Sequence, residues 1–228
     1  MRKAREGEIM LETKELLDLT KTIAAPLFEG KTYPWEVLPD IKDFIIELGD
    51  TLPEDEFEKR GENVWVAKDA TVFPSAYIGS PCIIDHGAEV RHCAFIRGSA
   101  IIGKNTVVGN STEIKNSILF DNVQAPHYNY IGDSVLGYKS HMGAGSITSN
   151  VKSDKTLVVI KSPEGEIKTK RKKVGAILGD GVEIGCNSVL NPGTILGRGA
   201  SVYPTSCVRG VIPENGIYKD KDNIVIRK

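Results

Sequence analysis

Aromatic side chains are scarce, 7% of 228 residues, so the interior has to be filled by branched and small residues. Cysteine is scarce too: Cys82, Cys93, Cys186 and Cys207 form no CxxC pair, and together with only four histidines they supply no zinc motif. They are expected to be reduced thiols, and no metal is expected. No apolar run approaches the length of a membrane span. The opening stretch MRKAREGEIMLETKELL is charged throughout, so neither a secretory leader nor a membrane association is expected, and a cytoplasmic location is. An excess of charge is also missing: 29 basic side chains face 30 acidic ones, which argues against a general nucleic-acid binder. No GxxxxGK[ST] and no glycine-rich loop after an early strand is present to mark a nucleotide fold.

What the chain does contain is a period. From Val66 every sixth residue is branched and aliphatic: Val66, Val72, Ile78, Ile84, Val90, Ile96, Ile102, Val108 and Ile114. Four residues beyond each of these the side chain is mostly small, as at Ala70, Ala76, Cys82, Ala88 and Ala94. The pattern returns at Leu178, Ile184, Leu190, Leu196, Val202 and Val208. A helix requires period 3.6 and an ordinary strand period 2; neither fits. Six residues make one short strand and one corner. Three such units make a triangular coil of eighteen residues, and coils stack about 4.8 Å apart. The aliphatic residue points into the prism, and glycines just after it (Gly79, Gly103, Gly109) suit corners where chains approach closely. In this the chain resembles hexapeptide-repeat proteins, and the resemblance implies an all-β fold, a left-handed parallel β-helix, against the usual right-handed crossover rule.

Three stretches depart from the pattern. Residues 1–60 carry ETKELLDLTKTI and EVLPDIKDFIIELG, punctuated by Pro34, Pro39 and Pro53, and read as a helical N-terminal cap or arm before a β-helix at 61–228. Between 115 and 150 the inward series slips by single residues, through Ile131, Leu136, Met142 and Thr148. Residues 151–173 leave the period altogether. TLVVI and EIKTK around SPEG predict a hairpin thrown out of the coil. Its eight Lys or Arg against three acids read either as a solvated loop or as a lid or phosphate contact.

Candidate chemistry sits in the slipped region. Arg97 and Lys115 are eighteen residues apart, hence one coil apart on one face. Two stacked cations repel unless an anion lies between them, so they are either a phosphate clamp or two unrelated surface charges. His127, in APHYNYIGDS, precedes by one coil the run from His141 to Asn150, HMGAGSITSN. That glycine-rich backbone can bring N–H groups to a ligand, and a histidine beside such donors is a general-base candidate or a structural side chain.

GNSTEIKNS (109–117), APHYNYIGD (125–133) and GAGSITSN (143–150) resemble the acetyltransferase domain of bifunctional UDP-N-acetylglucosamine synthesis enzymes. KKVGAILGD (172–180) and NPGTILGRGASVYP (191–204) resemble the C-terminal domain of archaeal bifunctional sugar-1-phosphate nucleotidylyltransferase/acetyltransferases. The resemblance covers about residues 90–213 and no nucleotidyltransferase domain. It implies an acetyl-CoA-dependent N-acetyltransferase acting on an amino-sugar 1-phosphate for nucleotide-sugar synthesis, active as a homotrimer, with a separate nucleotidyltransferase as a possible partner. By the same resemblance His127 is the base, Asn150 positions the amine, and Arg97, Lys115 and Tyr130 hold the sugar phosphate. His141 and Lys155 take further substrate positions, and Ala144, Cys186 and Pro204 line the CoA side. His141 stands where the family usually has Asn, Val151 where bacterial members have Tyr, and Cys186 and Pro204 where small residues are usual. Two other readings are a non-catalytic β-helix that binds a sugar nucleotide or regulates a partner, and a γ-carbonic-anhydrase-like metalloenzyme. His86, His92, His127 and His141 lack the pair spacing of the latter.

Overall fold

The computed structural model describes residues 11–162 and 165–227; the opening stretch through Met10, the SPEG residues 163–164 and Lys228 lie outside the described residues. From Val64 the chain winds a left-handed parallel β-helix of eight coils. Its faces follow in chain order and are called one, two and three here. On face one Val64–Ala67, Cys82–Ile84, Ala100–Ile102 and Ser117–Leu119 pair in parallel and in register, followed by Val135–Leu136, Ala176–Leu178, Thr194–Leu196 and Val211–Ile212. Each predicted inward residue stacks on its equivalent: Ile84 on Ile102, Ile102 on Leu119, Ile96 on Ile114, Ile114 on Ile131. Side chains from Ile84 through Ile114 are fully buried, as a prism filled by branched aliphatics requires.

The single-residue slips have a local cause. Going from face three to face one, the chain passes Lys115-Asn116-Ser117 and, one coil later, Gly132-Asp133-Ser134, corners one residue shorter than their predecessors. Asn116 and Asp133 both take left-handed backbone, φ 49°. Asn and Asp tolerate that region best among residues with a Cβ. The inward series stays intact, with Ile131, Leu136, Met142 and Thr148 all buried.

Face one differs from the other two because its outward side is also apolar. Trp65, Ile83, Ile101, Ile118, Val135, Ile177, Ile195 and Val211 form one in-register outward ladder. From Ile83 to Ile195 its members are at most 1% exposed. The N-terminal segment covers them. Its described residues contribute only two short α-helices, Thr13–Leu16 and Ile41–Gly49, linked by 3₁₀ turns at Leu19–Lys21, Ala25–Phe28 and Pro34–Val37. Pro26 and Pro34 start two of these turns, where a missing N–H does no harm. The longer first helix expected from ETKELLDLTKTI is therefore a single turn. Burial of Leu16, Leu17, Leu27, Phe28, Leu38, Ile41 and Ile45 against the sheet outweighs local helix propensity here.

The segment runs lengthwise along face one. The Asp180 N–H donates to Leu16 O (3.0 Å), the Asp121 N–H to Lys21 O (3.0 Å), and Asn116 Nδ2 to Leu38 O (3.2 Å). Phe28 meets Phe120 edge-on at 5.9 Å. Gly49 lies so close to the Trp65 ring that a Cβ there would collide with it. Antiparallel strands close both ends of the solenoid: Phe57–Gly61 on the first coil and Asn223–Ile226 on the last. Such strands limit the unpaired edge that a solenoid otherwise exposes.

Truncation at the covered ladder tests this account. Ile101→Ala should lower unfolding free energy by about 2–5 kcal/mol. Ile224→Ala, on the exposed terminal strand, should stay within about 0.5 kcal/mol. Urea denaturation followed by circular dichroism measures both, and equal losses would mean that face one is not a buried interface.

Candidate functional site

The chemistry-bearing residues fall along the two edges of face three. The edge between faces two and three is a vertical column of corners. Its left-handed positions are Tyr128 (φ 53°), Gly145 (φ 72°), Asn187 (φ 55°) and Thr205 (φ 60°). Each donates its N–H to the residue just before the corner one coil earlier: Gly145 to His127 O (3.0 Å), Asn187 to Ala144 O (2.8 Å), and Thr205 to Cys186 O (2.8 Å). His127, Ala144, Cys186 and Pro204, predicted separately as base and CoA-side positions, thus occupy equivalent places in four consecutive coils. His127 is exposed at the head of this run, and its backbone N–H donates to Asn129 Oδ1 at 3.2 Å. Asn129, 2% exposed, also donates to Gly143 O (2.8 Å) and Ser146 O (3.1 Å). One buried amide therefore fixes the His127 backbone to the glycine-rich loop beneath it. Sequence reading passed over Asn129; an Asn directly after two residues of a left-handed corner is the signal that marks it.

The opposite edge of face three holds a second cluster. Arg97 and Lys115 stand in adjacent coils, as their spacing predicts, and each has a carboxylate of this chain beside it. Arg97 Nη1 is 2.8 Å from Glu113 Oε1, and Lys115 Nζ is 3.2 Å from both oxygens of Asp133. The premise that stacked cations must enclose an anion is corrected: each carries its own carboxylate. Asp133 is the hub. Its side chain is 5% exposed and accepts from Asn116 Nδ2 (2.8 Å) and Asn150 Nδ2 (2.5 Å) as well as from Lys115. Asn150 Nδ2 also lies 3.2 Å from the Tyr130 hydroxyl. Burial raises the Tyr130 phenol, with the negative charges of Asp133 and Glu113 adding to the effect and Asn150 and Arg97 opposing it. Glu113 beside it raises the Arg97 guanidinium.

The structure thus joins Arg97, Lys115, Tyr130 and Asn150 through two acids that sequence reading missed. Asp133 was accessible to the same arithmetic, being eighteen residues after Lys115. The remaining candidates stand apart from this cluster. His141 faces outward from face two, its Nδ1 2.8 Å from Glu183 Oε2. Lys155 is exposed in a left-handed turn (φ 56°) of the excursion that follows Asn150. Among the described residues no group of three or more His, Cys, Asp or Glu is arranged to hold a metal ion. No described helix is long and apolar enough to cross a membrane.

An eight-coil β-helix of hexapeptide repeats, with a histidine heading one edge and an ion-paired polar cluster on the other, defines the class. Residues 78–196, just over half of the chain, match the family model described as the GMPPB C-terminal domain, and the protein belongs to that family. It is also 36% identical over 114 residues to the bifunctional protein GlmU of Methanococcus maripaludis strain S2, across 49% of this chain and 27% of that protein. It is 33% identical over 92 residues to a bifunctional sugar-1-phosphate nucleotidylyltransferase/acetyltransferase of Sulfurisphaera tokodaii, across 40% of this chain and 23% of that one. The matches therefore span about a quarter of each relative, in keeping with the resemblance read from the motifs. Among solved structures, the acetyltransferase domain of PglB from Neisseria gonorrhoeae in complex with acetyl coenzyme A aligns at 16% identity and TM-score 0.34, covering 71% of this chain and 56% of that one.

The hub role of Asp133 predicts an asymmetry between the two ion pairs. Asp133→Ala leaves Lys115, Asn116 and Asn150 without their shared acceptor, and should cost about 3 kcal/mol. Glu113→Ala breaks a pair with both side chains about a third or more exposed, and should cost under about 1 kcal/mol. Urea melts of the two variants decide the point.

Proposed function

We propose that this chain is an acetyl-CoA-dependent acyltransferase that N-acetylates an amino-sugar 1-phosphate. The observation that carries the reading is the column in which His127 heads Ala144, Cys186 and Pro204 along one edge, with the polar cluster reached three residues later at Tyr130. The curated relatives include a bifunctional sugar-1-phosphate nucleotidylyltransferase/acetyltransferase matched over 40% of this chain, which supports the same chemistry. In this reading the cofactor lies along the column and the sugar along face three. His127 accepts a proton from the sugar ammonium, and the freed nitrogen lone pair attacks the thioester carbonyl. A C–N bond forms, the C–S bond breaks, the second proton lost by the nitrogen passes to the departing thiolate, which leaves as free CoA, and His127 releases the first proton to solvent. Asn150, tied to Tyr130 and Asp133, positions the amine. The sugar phosphate enters by taking over Arg97 from the exposed Glu113, since an exposed ion pair is held weakly. Lys115, more firmly held by the buried Asp133, stays as a fixed positive neighbour.

A homotrimer is part of the proposal. Face three presents exposed Tyr77 and Phe95, whose rings pack edge-on at 5.5 Å, and closed three-fold symmetry would bury this strip of apolar surface. Multi-angle light scattering should give three times the chain mass. A second reading rests on Cys186 and Pro204, which stand on the CoA side where small residues are usual: a non-catalytic β-helix that binds a sugar nucleotide or regulates a partner.

One assay separates the two readings. Thiol release from acetyl-CoA with glucosamine 1-phosphate should be measurable for the wild type. His127→Ala should lower kcat by about 10²–10⁴-fold with little change in acetyl-CoA affinity. His141→Ala, on face two, should cost far less. Absence of thiol release across a panel of amino-sugar phosphates, with no acetyl-CoA binding, favours the regulatory reading. A large loss at His141 with none at His127 moves the base to His141.

A further inference from the structure

The excursion that follows Asn150 is absorbed by none of the above. It leaves the edge between faces three and one, forms the hairpin Val159–Ser162 with Gly165–Lys168, and rejoins face one at Ala176–Leu178. The hairpin is seated firmly against the coils. Val158 and Ile160 are fully buried, and a Cβ at Gly193 would press on Val158 at 2.8 Å. Gly210 likewise leaves only 3.1 Å between a built Cβ and the Lys161 carbonyl. Between the hairpin and the last two coils is a cavity of about 520 Å³, with Lys152, Lys161, Arg209, Ser162 and Asn191 in its wall. Three cations from three separate elements converge there, and among the described residues no carboxylate lines it.

The contrast with Arg97 and Lys115 is one of compensation. Arg209 makes no ion pair among the described residues. Lys152 pairs with Asp154 (3.3 Å) and also donates to Thr156 Oγ1 (2.6 Å), and Lys161 pairs with Glu166 (3.6 Å); the two acids are 57% and 60% exposed and lie outside the cavity wall. Such solvent-exposed pairs are readily exchanged for a better anion. Arg209 shares its edge of the prism with Lys115 but lies four coils further along, roughly 19 Å at the usual strand spacing. One phosphate group cannot serve both.

We propose that this cavity binds the diphosphate of a nucleotide ligand, with Arg209, Lys161 and Lys152 as its charge partners. Three cations, of which Arg209 has no ion pair among the described residues and the two lysines only exposed partners, call for more than the one phosphate group of a sugar monophosphate, and a cavity of this size lies within the range that encloses a nucleotide-sized ligand. Charge-assisted and bidentate contacts from arginine are the strongest available to phosphate oxygens. Two sources share this chemistry: the adenosine diphosphate portion of coenzyme A and a nucleoside-diphosphate sugar. The inference does not depend on acyl transfer, because binding is read without turnover.

The test is calorimetric titration of the full chain at low ionic strength with inorganic pyrophosphate, ADP, UDP and coenzyme A in turn. The wild type should bind pyrophosphate, and more weakly as salt is raised. Arg209→Ala should weaken binding at least tenfold, and the further change Lys161→Ala should abolish it. Lys42→Ala, an equal loss of charge on the exposed side of helix Ile41–Gly49, should leave it unchanged. Thermal melts of the Arg209 variant should match the wild type, since this exposed side chain has no partner among the described residues. Tighter binding of coenzyme A and ADP than of UDP assigns the site to the cofactor, and the reverse assigns it to a sugar nucleotide. Absence of heat with all four probes, or equal affinities for the Arg209 and Lys42 variants, overturns the proposal. Failure of thiol release alone bears on the acyltransferase reading and leaves this one standing.

Discussion

The in-register stacking of one coil on the next is the interaction on which everything else rests. Parallel ladders fix each residue about 4.8 Å from its equivalent in the neighbouring coil, so a coil of seventeen or eighteen residues turns sequence separation into vertical distance. The base candidate, the glycine-rich loop and the CoA-side positions come into one column only because every coil in that run holds the register. Buried side chains such as Thr112, Asn129, Ser134 and Thr148 reinforce it with hydrogen bonds to backbone in the neighbouring coil. Polar groups this deep are tolerated because each is satisfied.

Charge organises the two edges differently. On the edge beside Tyr130 the shortened corners bring Asn116 and Asp133 into left-handed backbone, with Asp133 accepting from Lys115, Asn150 and Asn116, so the cluster is neutral and ordered before any ligand arrives. Further along the same edge the hairpin brings lysines to Arg209, and among the described residues no acid lines the cavity between them. A preordered neutral cluster favours positioning of a polar substrate group, because little has to rearrange on binding. An uncompensated cationic cavity favours capture of a polyanion. The two features divide orientation from charge recognition along one side of the prism.

Face one explains why the N-terminal segment adopts so little regular helix. Its outward ladder removes more apolar surface from water than the helical hydrogen bonds of a twelve-residue stretch would contribute net. The chain therefore follows the groove of the sheet and turns at its prolines. The double-aliphatic steps CIID, AIIG, SILF, SVLG, AILG and TILG recur coil after coil on this face, whereas the other two faces have them only singly, as at Val107-Val108 and Val189-Leu190. An outward aliphatic beside each inward one requires cover on both sides. The signal was present in the sequence, but the six-residue period drew attention to the inward half of each pair.

The sequence by itself determined the coil, its interior and the single-residue slips, because a period of six is a local property carried by each strand and corner. It also determined which residues share an edge, since that follows from counting. The tertiary structure decided how the charges are spent. Whether Lys115 faces an open site or Asp133 depends on the direction of one corner, and on the reach of side chains across coils that no linear pattern encodes. The docking of the hairpin on the last coils was likewise decided in three dimensions, by burial of Val158 and Ile160 against Gly193 and its neighbours. Counting places residues on an edge; only packing determines which of them meet.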